Sequence, residues 1–246
     1  MYINELHILT YVIVGVIGLI VGQLIDWCNL RMSEHKKLIS RDFFKEYLKN
    51  TRPKYLLMVI VALSYIVLLY FKGLTIDTLK FIFLIPMLIS AFMIDFKSQI
   101  IPNRLTLTVF ETGLIFTFVE TLMNTNLGIN IFIDNILGMI VGGGIFLLIT
   151  LLGGLMARKE AMGFGDVKFM AALGLFFGWM NIILISVMSF LFAAIVSIVI
   201  LISRKKKSSE YIPFGPFIVV ASLIPIYIST SDILMVLLEI FSLGTY

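Results

Sequence analysis

Long apolar runs separated by short polar segments divide the chain. Read as helices, these runs predict eight spans at 8–28, 55–71, 79–94, 105–123, 133–156, 167–182, 183–202 and 212–229. A tight turn between Gly178 and Asn181 must separate the sixth span from the seventh. The closing run "ILMVLLEIFSL" has 11 residues; at ~1.5 Å per residue it falls short of a ~30 Å hydrocarbon core. It is expected to lie at the interface or to extend the last helix. Stretches such as "GMIVGGGIFLLITLLGGLM" lack the two-residue alternation of a barrel strand. The fold class expected is therefore all-α, a polytopic integral membrane helical bundle of about eight transmembrane helices. No soluble domain or internal repeat interrupts it, so residues 1–246 read as one membrane domain with a short basic loop at 29–54.

Composition agrees with this pattern. The chain is 60% hydrophobic, with a mean hydropathy of +1.05, against roughly 45–50% apolar residues in soluble domains. The start, "MYINELHILT", has no positive n-region, so the first span is expected to stay as an anchor. Charge sets the orientation. With the N-terminus outside, loops 29–54, 95–104, 157–168 and 203–211 lie inside and hold eight, two, three and four Lys/Arg, or 17 of the chain's 19. Lys72 and Lys80 remain outside, the asymmetry that the positive-inside rule associates with cytoplasmic loops. "RKKK" at 204–207 then reads as a topological anchor. A single cysteine and two histidines rule out a disulfide framework or a multi-cysteine zinc site, and Cys28, His7 and His35 are assigned no chemistry.

Two acids follow from this topology. Asp95, in "MIDFKSQIIPNRL", ends the third span, and Asp166, in "EAMGFGDVKFM", starts the sixth; both fall at the cytoplasmic edge. Charge there is costly unless it is solvated or paired, which makes such acids functional candidates. Neighbouring carboxylates share a proton. The ionised partner can then take a proton from water while the neutral one polarises a peptide carbonyl. Such chemistry requires no metal, cofactor or nucleophilic Ser or Cys. Gly163 and Gly165 leave the backbone open to a substrate strand or a neighbouring helix, and Asp166 is placed in the first helical turn, where the macrodipole favours its charge. Lys168 can add to that stabilisation or anchor the helix. Pro102 and Asn103 stop any continuation of the third helix. Glu111, about two turns into the fourth span, is expected to face the bundle or a cavity, either tuning the pair or bonding a neighbouring helix. Glu160 is a further candidate for tuning. Glu120 and Asp134 read as solvated at the outer surface, and Gly142–Gly144 as close helix packing rather than a phosphate cradle.

Four stretches together resemble the type IV prepilin peptidases. "GLIVGQLIDWCNLRM" is similar to the family's first-span signature, with Asp26 where Asn is usual. "DFKSQIIPN" is similar to the first catalytic-Asp segment, "EAMGFGDVKFMAALG" to the Gly-x-Gly-Asp segment, and "IPFGPFIVVAS" to the motif that enters the last span. The resemblance implies that Asp95 and Asp166 form the catalytic pair of an aspartic endopeptidase, which cleaves the leader of prepilin or pseudopilin precursors at the cytoplasmic face. Many members of the family carry paired Cys-x-x-Cys motifs in a larger first loop, associated with N-methylation. Loop 29–54 has no cysteine, so the resemblance is to a short form without that activity. No cofactor, metal site or nucleic-acid partner is expected; the implied partners are the precursor and the lipid bilayer. A largely preformed, water-accessible cleft is expected around the pair. Around Phe214 and Gly215, Pro213 and Pro216 are expected to shape the last span's entry, with direct substrate contact as the alternative. The competing functions are a proton-coupled transporter, which calls for acids near the midplane, and a non-catalytic assembly protein of a pilus or secretion system.

Overall fold

A computed structural model describes residues 2–3, 6–33, 54–124, 126–157, 162–203 and 212–241. Most of the loop at 29–54 and all of Glu160 and 204–207 therefore lie outside the described residues. After a two-residue antiparallel pairing of β1 (Tyr2–Ile3) with β2 (Leu6–His7), the described chain is helical: α1 (Ile8–Ser33), α2 (Tyr55–Lys72), α3 (Ile76–Ser98), α4 (Asn103–Met123), α5 (Gly128–Ala157), α6 (Phe164–Ile202), α7 (Gly215–Tyr227) and α8 (Thr230–Phe241). The protein is a polytopic helical membrane bundle. Many of its most exposed side chains are apolar, including Leu9, Leu56, Leu122 and Leu155, as suits a surface solvated by lipid tails.

Six of the described helices are long and apolar enough to cross a membrane, or seven if the bent pair α7–α8 counts as one span. The difference from the eight spans read in the sequence lies mainly in α6. Its 39 residues contain one break, at Gly178 with φ 71° and ψ 175°, in the left-handed region that favours glycine. Contacts along α5 show what the break does. Gly138 packs on Gly174 and Gly178, Gly142 on Met170 and Ile182, and the Phe146 ring lies 5.4 Å from that of Phe190. As α5 advances, its partners run backward from Gly178 to Met170 in one half of α6 and forward to Phe190 in the other. The chain therefore reverses at Gly178, at the edge of the predicted turn, and both halves lie along α5. At the other predicted boundary, α7 spans only 13 residues before the chain bends by 117° into α8. The closing apolar run is thus a separate, sharply turned helix.

Close helix approach depends on small residues, because lipid supplies no hydrophobic drive between helices. A Cβ on Gly18 would meet the Ala62 backbone at 2.6 Å and one on Gly22 would meet Met58 at 2.5 Å, which locks α1 against α2. In the Gly142–Gly144 run, Gly142 and Gly143 face α6, whereas nothing lies within 4 Å of an added Cβ at Gly144. Pro86 interrupts the hydrogen-bond ladder of α3 and leaves the Ile82 carbonyl without its usual donor four residues on. The Tyr65 hydroxyl of α2 donates to that carbonyl at 2.7 Å. The proline's defect is thereby repaired across a helix interface.

One sequence expectation fails at a buried charge. Glu120 is not solvated: it is 6% exposed and pairs with Lys80 Nζ at 2.6 Å. Lys80, one turn into α3, supplies the counter-charge that water was expected to provide. Asp134 is half-buried. Asp26, 1% exposed, is ion-paired with Lys54.

Candidate active site

The helix bearing Asp95 ends one turn later. Gln99 adopts a left-handed conformation (φ 56°, ψ 30°) and its N–H closes on the Asp95 carbonyl at 2.8 Å, a glycine-like helix stop made by a non-glycine residue. Extended Pro102 then caps α4, which begins at Asn103; the stop expected at Pro102–Asn103 is made earlier, at Gln99, and these two residues start the next helix. On the other side, Gly163 is the N-cap of α6, Asp166 lies in the first turn, and Asp166 N–H donates to the Gly163 carbonyl at 3.1 Å. Gly163 has φ −66° and ψ 135°, a conformation open to any residue. Gly165 faces Ile101, with an added Cβ 3.4 Å from the Ile101 carbonyl oxygen, so the partner in its close approach is the segment before α4.

These elements bring the two acids together. Asp95 and Asp166 are 4% and 5% exposed and lie within electrostatic range of each other. A water-accessible cleft was expected here, yet both acids are buried, in a core that includes Ile94, Ile101, Val167 and Ile218.

A third segment completes the site. The backbone N–H of Gly215, the first residue of α7, donates to Asp95 Oδ2 at 2.9 Å in a buried hydrogen bond. A Cβ at Gly215 would fall 2.6 Å from that oxygen, so only glycine lets the backbone approach this closely. Asp95 thus faces the N-terminus of α7 and Asp166 lies in the first turn of α6, and the N-terminal ends of both dipoles favour negative charge. Burial and mutual repulsion oppose two full charges in so small a volume. Sequence reasoning treated "IPFGPF" as shaping a helix entry and missed the bond to Asp95. Glycine between two prolines at a helix start, in a chain already holding a buried acid, was the available signal.

The remaining candidates sit further out. Lys168 is exposed; its Nζ donates to Asn103 Oδ1 at 3.1 Å and lies over the Phe164 ring. It ties the start of α6 to the start of α4 rather than reaching into the core. Glu111 is exposed, contrary to expectation, because α4 turns Leu105, Val109, Gly113 and Thr117 inward and Glu111 occupies the opposite face. Among the described residues, no group of three or more His, Cys, Asp or Glu could hold a metal.

A model of the type IV leader peptidase family matches residues 82–198. The leader peptidase HopD of Escherichia coli is 32% identical over 149 residues, covering 60% of this chain and 92% of that protein. The chain belongs to the type IV leader peptidase family. Its relatives include the prepilin leader peptidase/N-methyltransferase of Legionella pneumophila, 34% identical over 63% of this chain and 52% of that one. The corresponding protein of Aeromonas hydrophila is 30% identical over 58% and 47%. The chain therefore spans about half the length of these longer relatives. No solved structure matches it. The matched region contains Asp95, Asp166, Gly163 and Gly165, and Gly215 lies beyond its end.

Proposed function

We propose that this protein is a membrane aspartic endopeptidase that removes the leader of type IV prepilin or pseudopilin precursors at the cytoplasmic face of the cell membrane. The observation that carries this reading is two buried carboxylates, Asp95 and Asp166, at one end of the bundle in a chain of the leader peptidase family. One proton is shared between the carboxyls. The Gly215 N–H holds Asp95 Oδ2, which leaves its other oxygen for the reaction. The ionised carboxylate accepts a proton from water as that water attacks the scissile carbonyl; the protonated one donates to the carbonyl oxygen, giving a neutral tetrahedral diol. Collapse of the diol returns a proton to the leaving amine and regenerates the pair.

Burial of both acids means that substrate and water enter only after helices at this end part, so opening precedes chemistry. The short, cysteine-free loop 29–54 supports a peptidase without N-methyltransferase activity. The test is co-expression of a prepilin precursor with the parent protein, Asp95→Asn or Asp166→Asn, with membrane abundance measured for each. Asn keeps the shape but cannot share the proton. Uncleaved precursor with both well-expressed variants supports the assignment; normal processing by either one overturns it and directs attention to transport or assembly.

A further inference from the structure

At the end of the bundle away from the aspartates, a cavity of about 750 Å³ opens between the ends of α2 and α4, the starts of α3 and α5, the reversal at Gly178 and the α7–α8 bend. Asp77 and Asp95 lie 18 residues apart on α3, so at ~1.5 Å per residue this cavity is about 27 Å from the proposed catalytic pair. It sits at the level of lipid headgroups, where helix ends meet the membrane surface.

Its charges do not cancel. Lysines 72 and 80 face three carboxylates, those of Asp77, Glu120 and Asp134. Lys80 Nζ lies 2.6 Å from Glu120 and 3.5 Å from Asp77, a network that is built in: Lys80 is 7% and Glu120 6% exposed. Two opposite charges remain unused. Among the described residues, no cation lies within ion-pair distance of Asp134 and no carboxylate within that distance of Lys72, whose ammonium lies over the Phe81 ring at 5.3 Å. Beside them are amide oxygens without donors. Asn135, 5% exposed, uses its Nδ2 on Thr117, and Asn124 uses its Nδ2 on the Glu120 carbonyl. The Oδ1 atoms of both accept no hydrogen bond among the described residues.

A carboxylate and two amide oxygens call for a cationic group with several N–H donors, while a lysine calls for an anion. A bare metal ion meets neither the volume nor the lysine. We propose that the cavity holds the headgroup of a zwitterionic phospholipid, with its primary ammonium against Asp134 and the Asn oxygens and its phosphate against Lys72. The acyl chains leave past Phe71, 63% exposed on the outer wall. This inference does not depend on the peptidase reading.

The test titrates the purified full-length protein in detergent with short-chain phosphatidylethanolamine, phosphatidylcholine, phosphatidylglycerol and water-soluble phosphoethanolamine, reading Tm. Phosphatidylethanolamine should raise Tm saturably. Phosphatidylcholine, whose ammonium has no N–H, and phosphatidylglycerol, which has none at all, should bind about tenfold or more weakly. Asp134→Asn and Lys72→Gln should each remove this preference. Native mass spectrometry of the wild-type protein with an equimolar mixture of the three lipids gives the same comparison without a variant. Equal responses to all three headgroups, no response, or a preference that survives both substitutions overturns the proposal. Soluble phosphoethanolamine binding as tightly as the lipid overturns the lipid as its source.

Discussion

Gly215→Ala places one methyl group against the proposed catalytic centre. The new Cβ would lie 2.6 Å from Asp95 Oδ2, 2.9 Å from Cγ and 3.1 Å from Cβ. Real Cβ atoms essentially never approach below 3.0 Å and meet ordinary contact at 3.4 Å, so the carboxylate and the start of α7 must separate by between 0.4 and 0.8 Å. The separation stretches a 2.9 Å bond that, as a hydrogen bond to a charged group, is worth about 1.5–3 kcal/mol. A misplacement approaching 1 Å at reacting groups costs on the order of 10²-fold in rate. We therefore expect kcat/KM for precursor cleavage to fall about 10- to 100-fold, or roughly 1.4–2.7 kcal/mol, mainly in kcat. The assay is cleavage of a purified precursor, with Gly144→Ala as the control because nothing lies within 4 Å of its added Cβ. A well-folded Gly215→Ala protein that cleaves at the parent's rate refutes the positioning role of the α7 terminus.

Three further outcomes follow from the packing. Lys80→Met strands the buried Glu120 carboxylate and should cost roughly 3–5 kcal/mol, seen as a lower Tm and abundance, with most of it recovered in Lys80→Met/Glu120→Leu. Tyr65→Phe leaves the Ile82 carbonyl unsatisfied at about 1–3 kcal/mol; adding Pro86→Ala restores an N–H four residues along, so a thermal double-mutant cycle should show strong coupling. Glu111→Gln, on the exposed face of α4, should process precursor like the parent; a marked loss of cleavage would place Glu111 in the machinery.

Much of the bundle was legible because membrane spans are long and every backbone group must be satisfied within them. The same physics put Asp95 and Asp166 at one end, since span parity and lysine placement follow directly from the apolar runs. What sequence reading missed were relations between helices. The Gly215–Asp95 bond joins residues 120 positions apart, and a glycine between prolines reads first as helix-entry chemistry. Glu120 at a span's edge looks solvated until Lys80 of α3 is set beside it. Glu111 looked inward by depth alone, whereas α4 buries a stripe of Leu, Val, Gly and Thr that hydropathy barely separates from its outer face. The reversal falls at Gly178, the first residue of the expected turn and inside the expected sixth span, because helical geometry resumes so closely on either side that α6 reads as continuous apart from that one residue.

The central claim is that Asp95 and Asp166 act as one unit. Its most direct test is the cleavage rate of a purified precursor by Asp95→Asn, Asp166→Asn and the double variant, with folding verified by Tm. Each single substitution should cost about 10²–10⁴-fold, and the double should lose little more than either alone, because a shared proton is abolished by the first change. Independent losses that multiply in the double variant, or a single variant that keeps the parent's rate, would contradict the pair.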